Sequence, residues 1–321
     1  MPDVVGYGGA VMDLSLNINE MPAPNKRGNL NALSWQYGGT VPNGLVAVRI
    51  MSGHSCGLVG VYGGTVGKYV LGDLKRHGVD LSQMVESPVG SSRLTVVISV
   101  KKDSSRNFFG LPSDMRDLEP DDVDTSYLEG AKYVYVHRAN PAQIKAAKAA
   151  HEKGIKVVMD ADMGTPAIRE LLPYVDFMIA SEKCYGDLFR GEGDYRANLE
   201  KMRAMCSPGA LSMVTLGERG LVGMDGDGFF EQPAFLGLET VDTAGCGDIF
   251  HGAFIAGLLR GMDNRTCARY AQAAAAIKST RIGARAGIGT HEVVMGFLET
   301  GAIDYTGIDE RVAYYANMPM L

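Results

Sequence analysis

Short runs of strand character recur along the chain at Val4–Tyr7, Cys56–Val61, Lys132–His137, Lys156–Asp160, Phe177–Ala180, Leu211–Leu216 and Leu221–Met224. Between them lie helical patterns such as Asn43–Met51, Gly67–Arg76, Pro141–Lys153 and Asp187–Cys206. Strands without a polar alternation leave no face for water, so their alternation with helices predicts a parallel sheet covered on both sides. Two segments, 13–37 and 91–112, break this rhythm. In the second, Leu94, Val96, Ile98 and Val100 alternate with Thr95, Val97, Ser99 and Lys101, the period of a half-exposed strand. These segments predict a small antiparallel sheet whose apolar face needs a cover, either substrate or a second subunit.

The last third reads as helical. From Asp248, the residues Phe250, Phe254, Gly257 and Leu258 share one face of an amphipathic helix that runs to about Arg260. Cys267–Thr280 reads as a second, alanine-rich helix suited to close packing.

Composition adds mainly exclusions. With 46% hydrophobic and 21% charged residues among 321, the chain is of ordinary globular type and can bury a sizeable core. A formal net charge of −6 excludes a general nucleic-acid binder, which carries a basic face. The five cysteines (Cys56, Cys184, Cys206, Cys246, Cys267) are odd in number and contain no Cys-x-x-Cys pair, which points to reduced thiols. The start, Met-Pro-Asp-Val-Val-Gly, lacks the basic and apolar regions of a signal peptide. No apolar run reaches the ~18 residues of a membrane span. A cytoplasmic protein is the expectation.

One segment carries chemistry. A strand-like approach at 239–241 leads into Asp-Thr-Ala-Gly-Cys-Gly-Asp at 242–248 and then directly into a helix. Glycines leave backbone N–H groups exposed without side chains in the way, and a helix N-terminus adds its dipole, so the turn suits an anion such as a phosphoryl group. Asp248 in the first helical turn is expected to be ionised by that dipole. It is then either a general base facing an acceptor hydroxyl or a plain helix cap.

The segment resembles the signature of the ribokinase/PfkB family of carbohydrate and nucleoside kinases, Asp-Thr-x-Gly-Ala-Gly-Asp, with Cys246 in place of alanine. Further matches follow in the family's order over nearly the whole chain: Asp13 after a glycine-rich first strand, Gly38-Gly39-Thr-Val-Pro-Asn43, Thr215-Leu-Gly217-Glu-Arg-Gly220, Gln272 in the alanine run, and Gly283-Ala284. The resemblance implies a three-layer α/β/α domain with a mostly parallel central sheet (1–12, 38–90, 113–321) and a small β-sheet lid (13–37, 91–112) that often mediates dimerisation. It implies an ATP-dependent phosphotransferase acting on a sugar-like acceptor, with Asp248 as general base. The N–H groups of Ala244, Gly245, Cys246 and Gly247 would form the anion hole. Asp13, Gly38, Gly39, Asn43 and the lid residue Arg106 would hold the acceptor. Thr215, Gly217, Gly220, Gln272 and Gly283 would approach the nucleotide. The carbonyls of Asp242 and Ala244 resemble ligands of the family's activating monovalent cation, K⁺.

One motif departs from the pattern. Where the family usually carries Asn-x-x-Glu to order Mg²⁺, this chain reads Ser181-Glu182-Lys183-Cys184, so Glu182, Asp160 and Asp162 become the candidate substitutes. Mg·ATP remains the expectation, because transferring phosphates need charge neutralisation. Arg138, at the end of a predicted strand, is placed to select an anionic acceptor. A nucleoside kinase and a non-catalytic sugar-binding member of the same fold stay open as alternatives. A dinucleotide-binding fold does not fit, because Val11 breaks the Gly-x-Gly-x-x-Gly spacing after Gly6 and Gly8.

Overall fold

A computed structural model describes residues 1–317 apart from Ser104 and Glu192, and Arg106 by its backbone alone. In chain order, β1 (Val4–Tyr7), β2 (Val11–Ile18) and β3 (Leu30–Gly38) precede α1 (Thr40–Ser52), β4 (Cys56–Tyr62), α2 (Gly64–Arg76) and β5 (Val79–Glu86). Next come β6 (Arg93–Val100), β7 (Ser105–Leu111), β8 (Tyr133–Val136), α3 (Pro141–Glu152), β9 (Lys156–Ala161), α4 (Ile168–Leu171) and β10 (Phe177–Ser181). The chain ends with α5 (Glu182–Phe189), α6 (Tyr195–Ala204), β11 (Leu211–Thr215), β12 (Leu221–Asp225), β13 (Gly228–Gln232), α7 (Cys246–Leu259), α8 (Asn264–Ser279), α9 (His291–Thr300) and α10 (Thr306–Ala316).

The main sheet runs β13-β12-β11-β10-β9-β8-β1-β4-β5. It is parallel from β11 to β5, and only β12, paired antiparallel with both β11 and β13 at one edge, runs the other way. Successive residues of its strands face opposite layers. Val4 and Val158 join the core under α1, α7 and α8, whereas Val5, Val157 and Met159 join the core under α3 and α6. Both faces are therefore apolar, as unbroken strand patterns require. No helix among the described residues is long and apolar enough to cross a membrane.

The second sheet has the order β3-β2-β6-β7. It is mixed rather than antiparallel: β2 pairs in parallel with β6, Val11 opposite Arg93 through Ile18 opposite Val100. The chain leaves β3, builds α1 to β5 in the main domain and returns on the other side of β2 running opposite to β3, which leaves β6 parallel to β2.

Two helix readings are corrected. The stretch expected as one helix from Asp187 to Cys206 is split into α5 and α6, because Arg190, Gly191 and Gly193 take left-handed backbone angles (φ 51, 74 and 79°). Helix α7 is buried all round over Ile249–Gly257 rather than amphipathic. It is wedged between α1 and α8, and a helix covered on every side reads as apolar on every side. A Cβ on Gly252 would lie 2.3 Å from the Gly44 carbonyl oxygen, so α1 and α7 cross in backbone contact. That contact sets the site: Asn43 precedes Gly44, and Asp248 lies one turn before Gly252.

Candidate active site

At the carboxyl ends of β1, β8 and β9, below the second sheet, lies a cavity of about 870 Å³. Open α/β sheets bind ligands at this edge. Asp248, Asn43, Asp13, Gly39, Gln36, Arg138 and Asp162 all line it. Residues 205 positions apart thus meet: Asn43 Nδ2 donates to Asp248 Oδ2 at 2.7 Å.

The Asn43 amide is oriented by a residue that the sequence analysis passed over. Arg285 is fully buried, and its Nε donates to Asn43 Oδ1 at 2.8 Å. Its Nη1 reaches Asp73 Oδ2 at 2.5 Å and its Nη2 the Gly38 carbonyl at 3.2 Å. A guanidinium has only donors, so the Asn43 atom facing it must be oxygen, and the NH₂ must face Asp248. Tyr315 completes the network by donating to Asp73 at 3.1 Å.

Asp248 departs from the expected ionisation. Burial, and then the neighbouring Asp160, push its carboxyl up to about 7, against the Asn43 hydrogen bond that lowers it. Desolvation and like charge outweigh the helix dipole, which is worth less than either in a closed site. Asp13 is likewise raised to about 6 by burial, partly offset by Arg285. Its carboxylate packs where a side chain of residue 38 would be, 2.2 Å from a Cβ built on Gly38, so any side chain there must displace that carboxylate.

The turn at 242–248 holds fewer free donors than expected. Ala244 N–H donates to Asp242 Oδ1 at 2.9 Å, and Cys246 N–H to the Thr243 carbonyl at 3.2 Å. That leaves the N–H groups of Gly245 and Gly247, both at the cavity, without a partner among the described residues. Gly245 takes φ 77°, and Ala284 packs against it where a Cβ would be.

The candidate metal carboxylates separate. Glu182 is paired with Arg219 on the surface. Asp160 is buried, accepts from Tyr135 at 3.2 Å and lies 3.1 Å from His251 Nδ1. Burial and Asp162 raise its pKa well above the carboxylate range, and its Tyr135 and His251 contacts face the protein and not the cavity. Asp162 alone of the three lines the cavity. Among the described residues, no group of three or more His, Cys, Asp or Glu could hold a metal.

The nucleotide candidates lie outside this cavity. Thr215, Gly217 and Gly220 form the turn after β11, at the same carboxyl edge. Gly217 and Gly220 have φ 59° and 88°, and Leu216 N–H is bonded to the Gly220 carbonyl at 2.8 Å. Gln272 is tied to the Gln232 carbonyl at 3.3 Å. Gly283 packs on Gln36, and its N–H donates to Asp242 Oδ2 at 2.8 Å. Arg138 is exposed at the cavity rim, and the Arg106 side chain lies outside the described residues. Gln36, unmarked by any motif, is buried and lines the cavity, and its Oε1 has no partner among the described residues. A raised carboxyl beside two free N–H groups can take a proton from a bound hydroxyl while those groups hold an anion.

The chain matches the pfkB family of carbohydrate kinases over residues 1–290. It is 26% identical over 302 residues to an ATP-dependent ribose-1-phosphate kinase of Halopiger xanaduensis, covering 93% of this chain and 98% of that one. Among solved structures, Arabidopsis thaliana ribokinase complexed with ribose and ATP superposes with a TM-score of 0.76 at 23% identity, covering 93% and 99% of the two chains. Thermotoga maritima ribokinase gives 0.76 at 21% identity, covering 94% and 100%.

Proposed function

The chain belongs to the pfkB family of carbohydrate kinases, and we propose that it transfers the γ-phosphoryl group of ATP to a hydroxyl of a sugar or sugar derivative, with Asp248 as general base. The observation that carries this reading is the Arg285–Asn43–Asp248 chain of hydrogen bonds under the cavity. It holds Asp248 Oδ2 and leaves Oδ1 for the acceptor hydroxyl. A base with a pKa near 7 takes that proton readily at neutral pH, because the driving force and the deprotonated fraction are both substantial there.

The other parts follow from their chemistry. Asp13 and the Oε1 of Gln36 accept hydrogens from acceptor hydroxyls. The N–H groups of Gly245 and Gly247, at the start of α7, hold the transferring phosphoryl oxygens. The turn at Thr215–Gly220 takes the nucleotide further along the same sheet edge. Mg²⁺ would neutralise phosphate charge, and Asp162, the one candidate carboxylate lining the cavity, is the residue that would help hold it. ATP use is supported by the Halopiger relative and by the ATP complex of the Arabidopsis ribokinase. The exposed Leu30, Phe109 and Leu111 of the second sheet suit cover by a second copy, which light scattering would report as a dimer.

The test is a panel of sugars, sugar acids, sugar phosphates and nucleosides with Mg·ATP, read by ADP release. Turnover of at least one carbohydrate is expected. Turnover confined to nucleosides, or binding without ADP release for every ligand, overturns the proposal.

A further inference from the structure

Lys278 is fully buried near the C-terminal end of α8, and no step of the proposed reaction uses it. Its ammonium donates to the backbone carbonyl of Asp242 at 2.8 Å. This is one of the two carbonyls that the family resemblance gives to an activating monovalent cation. A cation placed at this carbonyl would meet an ammonium already there, and two like charges a few ångströms apart repel strongly wherever water is excluded. The residues present therefore do not fit a dissociable cation.

Everything around Lys278 ties its segment to the phosphoryl-facing turn. The Ser279 carbonyl accepts from Val241 and Asp242 N–H at 2.8 and 3.0 Å. The Asp242 carboxylate accepts from Ala244 N–H on one oxygen and from Gly283 N–H on the other. Within this clasp the Lys278 side chain holds the backbone carbonyl of the same residue whose carboxylate caps the turn. A carbonyl fixed on a cation also fixes its peptide plane, and with it the path of the backbone that presents the Gly245 and Gly247 N–H groups.

We infer that Lys278 is a tethered replacement for a monovalent cation: its ammonium holds the Asp242 carbonyl, and the enzyme needs no K⁺ to form its anion-binding turn. Lys278 is a positioning residue in this role and touches no substrate. The inference rests on the proposed reading of 242–248, so its test includes a measurement made without substrates.

Lys278→Met keeps the aliphatic stem, removes the charge and leaves the place of Nζ open. Thermal midpoints of wild type and variant are measured in choline, Na⁺, K⁺ and NH₄⁺ chlorides at equal ionic strength. Turnover is measured in the same salts. For the wild type, both quantities are expected to be the same in all four salts. For Lys278→Met, we expect a loss of at least tenfold in kcat in choline, and a saturable recovery of both midpoint and kcat with K⁺ or NH₄⁺. Lys278→Arg, which keeps a buried cation, is expected to lose activity without gaining salt dependence. Several-fold activation of the wild type by K⁺ overturns the inference whether or not the variants fold. So does a folded Lys278→Met that responds to no cation in either quantity. Should no acceptor be phosphorylated by any form, the kinase reading fails alone, and the midpoints still decide the role of Lys278.

Discussion

Replacing Arg285 with methionine separates two jobs that one buried guanidinium performs. The change leaves Asp73 buried with Tyr315 as its remaining strong partner and frees the Asn43 amide to turn over. Removing one partner of a buried ion pair costs about 3–5 kcal/mol, because the other charge is left uncompensated. Unfolding entropy of ~2.1 cal/mol/K per residue gives roughly 0.7 kcal/mol/K for a chain of 321 residues, so Tm should fall by about 4–7 °C. The kinetic effect has a different origin. A hydrogen bond to a charged group is worth about 1.5–3 kcal/mol, so loss of the Asn43 donor to Asp248 should lower kcat by roughly 10–100-fold. The acidic limb of kcat/KM should also move to higher pH, since that donor holds the Asp248 pKa down against burial, Asp160 and Asp162.

The double variant Arg285→Met/Asp73→Leu is the decisive sample. It removes both charges, and replacing a buried ion pair by apolar groups is often neutral or stabilising. Calorimetry should show Tm largely restored, while steady-state kinetics should show kcat still depressed. If kcat recovers together with Tm, Arg285 acts only on stability, and the argument that it orients Asn43 is wrong.

Further outcomes follow from the same geometry. Asp248→Asn should lose orders of magnitude in kcat while keeping the fold. Because the folded carboxyl titrates near 7, above its ordinary value of 3.8, wild-type stability falls as pH rises between those values, and the variant escapes that loss. The Tm of Asp248→Asn relative to wild type should therefore increase from pH 5 to pH 8; a constant difference would contradict the burial argument. Gly38→Ala places a methyl against Asp13 Oδ2 and should raise the acceptor KM at least tenfold, with a smaller change in the ATP KM; equal changes would count against an acceptor role for Asp13. Asp162→Asn should raise the Mg²⁺ concentration needed for half-maximal activity, whereas Glu182→Gln, paired with Arg219 away from the cavity, should not; a magnesium titration of both distinguishes them.

The apolar strand runs determined the parallel sheet, because a strand buried on both faces leaves an unbroken signal in the chain. The glycine-rich turn at 242–248 was equally legible, since backbone N–H groups need glycine where side chains would block them. Its partners were not. Cys246 fits the motif by type, yet its N–H is spent on Thr243, and that depends on the φ of Gly245 and not on residue identity. Asp160 and Asp162 read as equivalent loop carboxylates, and only the packing of Tyr135 and His251 around the first separates a buried acid from a cavity residue. Arg285 and Lys278 carried no signal at all, because a buried cation in sequence looks like a solvated one. What the chain order determined was which groups exist and which elements hold them. The crossing of α1 and α7 at Gly44 and Gly252, and the folding of 278–285 back onto the turn, decided which groups meet and with what charge, because desolvation and distance exist only once the chain is packed.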